Sequence, residues 1–197
     1  LKILEIGSGA GFIKEFIPKV ITSEIIDLDG IDLKINATTL PFPDNYLDAI
    51  ILLNVIHHIS NPKNFLNECE RVLKKNGIIL MIEPAKTWFS KIIYKNFHHE
   101  AFDEFADWYL KKGGRLSEAN QAIPYIIFER DKNKFKKLFP NLKITKIFKF
   151  KPLHYILSGG FSYKPFFNGK LILFIIKIIE FLFKPISRFI GLFMYIK

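Results

Sequence analysis

The 197-residue chain has a single cysteine, Cys69, so it cannot form an internal disulfide, and a reducing cytoplasm suits it. Acids are scarce: 19 Asp and Glu stand against 29 Lys and Arg, a formal charge of +10. The excess favours an anionic partner, whether nucleic acid, acidic lipid headgroups or a phosphorylated substrate. Long uncharged apolar runs are missing too. The greasiest stretch, Lys170–Lys184, is interrupted by Lys177 and Glu180. It falls far below the roughly 18 residues that a spanning helix needs. A leader peptide and an initiator Met are absent ahead of the first apolar run, which reads as an N-terminally trimmed fragment. Apolar residues are not scarce: 49% of the chain is hydrophobic, with 21 Phe. That is enough for one domain with a real core, or one domain plus a cap.

Glycine is sparse as well, 11 in all, yet Gly7, Gly9 and Gly11 alternate within one short stretch. Leu1 to Ile6 reads as a buried strand, and Phe12 to Ile17 as a short helix stopped by Pro18. Strand, glycine turn and helix start form the opening unit of a nucleotide-binding α/β sheet. Glu5, just inside the strand end, is expected to face the same crevice. A dinucleotide fold places a third small residue three positions after the second glycine. Here that position is Phe12, and the third glycine comes early. The stretch Glu5-Ile6-Gly7-Ser8-Gly9-Ala10-Gly11 instead resembles the first motif of the class I S-adenosylmethionine-dependent methyltransferases, of the type 11 kind.

Later segments extend the resemblance in the right order. Val20 to Ile26 reads as the second strand, and an acid near its end is expected to bind ribose hydroxyls. Glu24 is the first choice, with Asp27 and Asp29 in reserve. Ile31 to Asn36 alternates as a third strand. Asn36 to Asp48 resembles the family's D-A-x-x-L-P-F-x-D-x-x-F-D segment, with Asn36 in place of the acid that meets adenine. An amide oxygen accepts the same hydrogen bond, so the resemblance implies adenine contacts from Asn36 and Ala37. Pro41 and Pro43 fix a rigid turn there, and Asp48 is expected to hold that turn. Leu47 to Val55 is almost continuously apolar, as a central parallel strand should be. Asn54 at its carboxyl end is expected to flank the sulfonium. His57 and His58 follow as secondary candidates for a base. Asn61-Pro62 opens a helix, Asn76-Gly77 is expected to end it, and Cys69 packs on its inner face. Glu68 to Gly77 resembles the family's E-x-x-R-V-L-K-x-x-G run, and Ile78 to Ile82 reads as a fifth strand.

Beyond residue 84 the resemblance fades. Residues 85–128 read as an aromatic-rich cap with a helix from Phe102 to Leu110, ended by Gly113-Gly114. Trp88 and Trp108 are read as core. His98 and His99, beside Glu100 and Asp103, are the candidate general bases, since a hydroxyl acceptor must lose a proton as its oxygen attacks. A metal site is not expected there: adjacent imidazoles do not easily face one ion, and no spaced partner follows. Asp131 is expected to cap a basic helix, Lys132 to Leu138. Leu142 to Lys151 reads as a strand with a positive face, and Ser158-Gly159-Gly160 as a break. Residues 170–188 read as an amphipathic helix with a lysine stripe, suited to a bilayer surface. Phe189 to Lys197 would then be the last strand.

These readings converge on an α/β, Rossmann-like, doubly wound, mostly parallel sheet with a helical cap and an apolar C-terminal helix. Residues 1–84 would bind S-adenosyl-L-methionine, 85–128 would form the cap, and 129–197 would complete the sheet. The cofactor residues implied are Glu5, Gly7, Ser8, Gly9, Glu24, Asn36, Ala37 and Asn54. The implied reaction is in-line methyl transfer to a small or lipid-linked hydroxyl acceptor, such as a sugar, glycolipid or quinone precursor. The enzyme would be cytoplasmic, with peripheral contact to the membrane's inner face through 170–197. Three alternatives stand behind it: a non-catalytic membrane-surface module, a nicotinamide enzyme, and a nucleic-acid methyltransferase. The nucleic-acid reading is opposed by the absence of an Asn-Pro-Pro-Tyr-type motif after the fourth strand.

Overall fold

The computed structural model describes residues 1–110, 119–150 and 170–197. Seven strands form one sheet in the order β3-β2-β1-β4-β5-β7-β6. They are β1 (Ile3–Ile6), β2 (Ile21–Glu24), β3 (Leu33–Lys34), β4 (Leu47–Leu53), β5 (Leu73–Pro84), β6 (Ile147–Phe150) and β7 (Phe193–Ile196). The first five run parallel, and β7 lies antiparallel between β5 and β6. The mostly parallel, doubly wound sheet is thus the one read from the sequence. The centre is held by apolar burial on both faces of β4, where Leu47, Ile50 and Leu52 are wholly enclosed.

Helix α1 (Pro62–Val72) covers the sheet with Phe65, Leu66, Cys69 and Val72. Asn61 caps it by accepting from the Asn64 N–H at 3.0 Å. Burial pushes the Cys69 thiol well up, so it acts as a small core hydrophobe. The helix stops at Val72 rather than at Asn76-Gly77. Leu73 already pairs with Leu47, and a bulge lets Ile78 face Ala49, absorbing the residues between. Asn76 takes a φ of +65° within that bulge.

Other elements differ from expectation for identifiable reasons. Phe12 to Ile17 forms one 3-10 turn, Phe12–Glu15, with Phe12 and Phe16 exposed. Phe102 to Leu110 is not helical. Asn120 clamps Asp103, accepting from its N–H at 2.9 Å and donating to its carbonyl at 2.8 Å, so the groups a helix would use are taken. Trp108 is buried as expected, but Trp88 is 62% exposed at the start of α2 (Trp88–Phe97). Gly113-Gly114 and Ser158-Gly159-Gly160 lie outside the described residues. Helix α3 (Ile123–Tyr125) runs through a π-helical turn into Asp131. Asp131 precedes α4 (Lys132–Leu138) without capping it: its carboxylate accepts instead from Trp108 Nε1 and from Arg130.

Strand β6 is shorter than the Leu142–Lys151 reading, and β7 shorter than Phe189–Lys197. The 170–188 helix is broken: α5 (Lys170–Leu182) ends before a 3-10 turn at Lys184–Ile186, where Pro185 interrupts it. Helix α6 (Ser187–Ile190) follows and packs on β6 and α2. No helix among the described residues is long and apolar enough to cross a membrane.

Candidate active site

The sheet reverses its winding between β1 and β4, and the crevice at that switch point is where open α/β sheets take ligands. The loop after β1 fills its floor. Gly7 has a φ of +69°, and a Cβ there would stand 2.6 Å from Val55 Cγ2 in the loop after β4. The two loops therefore touch only because residue 7 lacks a side chain. A Cβ on Gly9 would meet nothing within 4 Å, so that backbone faces open space.

Strand β2 binds this loop tightly. Ser8 N–H donates to the Ser23 carbonyl at 2.9 Å, and Ser8 Oγ accepts from Ser23 N–H at 3.0 Å. Glu24 accepts from Gly9 N–H at 3.1 Å and from Ile25 N–H at 2.9 Å. Glu5 lies beside the same loop, 3% exposed, and its Oε2 is buried with no hydrogen-bond partner. Burial pushes its pKa up, against the pull of a hydrogen bond from Ser8; the Glu24 charge pushes the same way as burial. Two carboxylates thus flank one glycine loop, one of them with an orphaned oxygen. A cationic, hydroxylated ligand fits that set.

Asn36 sits beyond β3 with its Oδ1 accepting from Thr38 N–H at 3.0 Å and Thr38 Oγ1 at 2.8 Å. The amide oxygen expected to meet a base is spent on this turn, and Ala37 lies half-buried beside it. Asn54, at the tip of β4, is exposed with a φ of +58°. The Pro41–Pro43 turn is not held by Asp48, which ties Lys2 N–H and Lys74 across the strand starts. Arg71 holds it instead, donating to the Leu40 and Phe42 carbonyls and to Asp44, while Glu68 accepts from Leu40 N–H. Spacing three apart on one helix was the available signal for that pair.

A second group of side chains gathers beyond the tips of β4 and β5. Glu83, wholly buried, accepts from the Val55 and Ile56 N–H groups at 2.8 and 2.9 Å and from His57 Nδ1 at 2.7 Å. His57 Nε2 and His58 Nε2 each lie 3.5 Å from Glu100, on different oxygens. His98 Nδ1 and His99 Nε2 approach the same carboxylate at 3.8 and 3.7 Å. Gln121 Nε2 donates to Glu100 Oε2 at 2.8 Å. Burial pulls the His57 pKa down, but Glu100 and Glu83 outweigh it and raise it to about 9. Burial pushes Glu100 up, and His57 and Gln121 reverse that to about 2. His98 is lowered, mainly by burial. The His pairs, separate in the sequence, face each other across a cavity of about 190 Å³ that Asn54 also lines. Sequence reasoning missed Glu83 and Gln121. The only hint was that β4 and β5 end side by side. A larger cavity, about 830 Å³, lies against Asn76, Gly77 and Asn141 at the other end of the sheet, away from the glycine loop.

Residues 4–81 match the family model for a methyltransferase domain. The sheet has the fold of the class I S-adenosylmethionine-dependent methyltransferases, and residues 4–81 are similar to the methyltransferase domain family. It superposes on a SAM-dependent methyltransferase from Archaeoglobus fulgidus with a TM-score of 0.55 at 16% identity, over all of this chain and 86% of that one. The demethylmenaquinone methyltransferase of Symbiobacterium thermophilum is 29% identical over 131 residues, 66% of this chain and 50% of that protein. A ubiquinone/menaquinone biosynthesis C-methyltransferase of Vibrio cholerae is 36% identical over 90 residues, 46% of this chain and 32% of that protein. The chain spans half or less of the length of the curated relatives it matches. The cofactor of this domain family is S-adenosyl-L-methionine, and the orphaned Glu5 oxygen above the open loop fits its cationic end.

Proposed function

We propose that the chain transfers a methyl group from S-adenosyl-L-methionine to a hydroxyl of a small or lipid-linked acceptor, such as a quinone precursor, glycolipid or sugar. The observation that carries this is the pairing of Glu5 and Glu24 around one glycine loop beside an imidazole-lined cavity. When bound, the cofactor supplies an electrophilic methyl on a cationic sulfur. Glu5 offers its orphaned Oε2 to the methionine end, with Gly7, Ser8 and Gly9 supplying backbone. Glu24 exchanges its bond to Gly9 N–H for the ribose hydroxyls. Ala37 and the amide of Asn36 flank the adenine, and Asn54 borders the reacting sulfur.

As the acceptor oxygen bonds to the methyl carbon, its proton passes to an imidazole. Of the pair His98 and His99, His99 suits that task. His98 Nδ1 already accepts from the Glu100 N–H at 3.1 Å, whereas the His99 side chain is 67% exposed at the cavity mouth. Calorimetric titration with S-adenosylhomocysteine tests the cofactor site. Micromolar binding is expected in the intact chain and at least a tenfold loss in Glu24→Ala. Equal binding in both would remove Glu24 from the site.

A lipid-linked acceptor is favoured by the C-terminal helices. Phe174, Phe181, Leu182 and Phe189 are each at least half exposed, beside exposed Lys177, Lys184 and Arg188. An apolar face edged by cations suits an anionic bilayer surface. Deleting the segment is a poor test, because β7 sits inside the sheet. The triple variant Phe174→Ser, Phe181→Ser, Phe189→Ser keeps β7. It is expected to stay in solution in a flotation assay with anionic liposomes that lift the unaltered chain. Flotation of both alike would end the membrane reading.

A further inference from the structure

We propose that His57, His58 and Glu100 form a binding site for a first-row divalent cation of the zinc class, with one coordination position open to the cavity. The strands create it: β4 delivers the histidine pair from the turn Ile56–His58, and the segment after α2 brings Glu100 over them. The candidate ligand atoms all lie within 4.8 Å of one another. Both imidazole–carboxylate separations are 3.5 Å. That is long for a charge-assisted hydrogen bond, about 2.7–2.9 Å. Each is close to the N···O edge around one ion with bonds of about 2.0–2.2 Å, roughly 3.3–3.5 Å, and because the two end on different oxygens, Glu100 would hold the ion through both.

The surroundings are those of a metal ligand set. Glu83 holds His57 Nδ1 at 2.7 Å, which fixes the ring so that Nε2 faces Glu100. Carboxylate–imidazole pairs of this kind orient and strengthen metal-bound histidines. Gln121 steadies Glu100 by donating to its Oε2, and its own Oε1 is buried without a hydrogen-bond partner. Two imidazoles and a carboxylate suit zinc and its neighbours over calcium or magnesium, which prefer all-oxygen shells. Three protein ligands leave a position for water or an acceptor oxygen. Adjacent histidines do face one point here. The partner absent after His98-His99 comes from earlier in the chain. This assignment stands apart from the methyl-transfer reading. A chain that binds zinc but not S-adenosylhomocysteine would keep the one and lose the other.

The test is titration of the metal-stripped full chain with Zn²⁺ by calorimetry and with Co²⁺ by visible absorption. One ion per chain is expected, with a Co²⁺ d–d band of tetrahedral intensity. His58→Ala, at a side chain 30% exposed, and the isosteric Glu100→Gln should each weaken binding at least tenfold while still unfolding cooperatively. His99→Ala should leave it unchanged. The proposal is overturned by no Co²⁺ band in the folded chain, by weak binding indifferent to all three changes, or by a loss in His99→Ala matching that in His58→Ala.

Discussion

Gly7→Ala is expected to abolish cofactor binding and to destabilise the fold. Two costs add at this position. An alanine at a φ of +69° costs about 1–2 kcal/mol, the penalty of a left-handed backbone for an L side chain. Its methyl would also stand 2.6 Å from Val55 Cγ2 and 3.1 Å from Cγ1, and overpacking of that kind costs about 1–3 kcal/mol. Relief requires the loops after β1 and β4 to part, and that separation opens the crevice floor. The sum, roughly 2–5 kcal/mol, is read by denaturant titration, and the loss of site by S-adenosylhomocysteine titration. Val55→Ala in the same chain removes the colliding methyls and should restore the second part of the stability, but not the first. Gly9→Ala is the counterpart: its Cβ meets nothing, so only the backbone cost applies. If Gly7→Ala and Gly9→Ala lose equal stability and Val55→Ala gives no recovery, the loops are not in the contact described.

What was legible in the sequence divides along a physical line. The strand and glycine turn of the opening, the apolar run of β4 and the capped start of α1 rest on local chemistry: a turn that needs glycine, a strand buried on both faces, an Asn-Pro helix start. Those features survive translation into three dimensions. Features decided by distant partners did not. Asn120, far along the chain, undid the helix at Phe102 to Leu110 by taking both backbone groups of Asp103. Asp131 was drawn from its helix by Trp108. Asp48 looked like the lock of the proline turn because it lies at the end of that motif, yet Arg71 reaches the turn from α1. The site shows the same division. The placement of Glu5 and Glu24 beside the glycine loop was readable from their positions at strand ends, while their part in binding is the proposal made above. The convergence of His57, His58, His98 and His99 on Glu100 required knowing that β4 and β5 are neighbours with their carboxyl ends level.

Glu83→Ala is expected to be the most destabilising single change in the second half of the site. The carboxylate is wholly buried and accepts three hydrogen bonds, two from the loop after β4 and one from His57. Truncation takes the acceptor from the Val55 and Ile56 N–H groups and from His57 Nδ1, and removing one partner of a buried charged pair costs about 3–5 kcal/mol. For a chain of this length that is roughly 10 °C in thermal midpoint. Glu83→Gln separates the two jobs of the carboxylate. Its amide oxygen still accepts from Val55 and Ile56, so most of the stability should return. Its NH₂ now points at His57 Nδ1, which must offer a lone pair instead of a proton. The neutral ring, the form that can hold a cation, is thereby forced into the opposite tautomer, with its proton on Nε2 and no lone pair for a cation or a reacting group. The expected result is near-normal melting, a visible exchange of the His57 ring nitrogens in ¹⁵N chemical shift, and at least a tenfold loss of Zn²⁺ binding. If Glu83→Gln leaves the ¹⁵N shifts and Zn²⁺ binding intact, Glu83 acts only on the backbone of the β4 loop, and the orientation of His57 comes from elsewhere in the cluster.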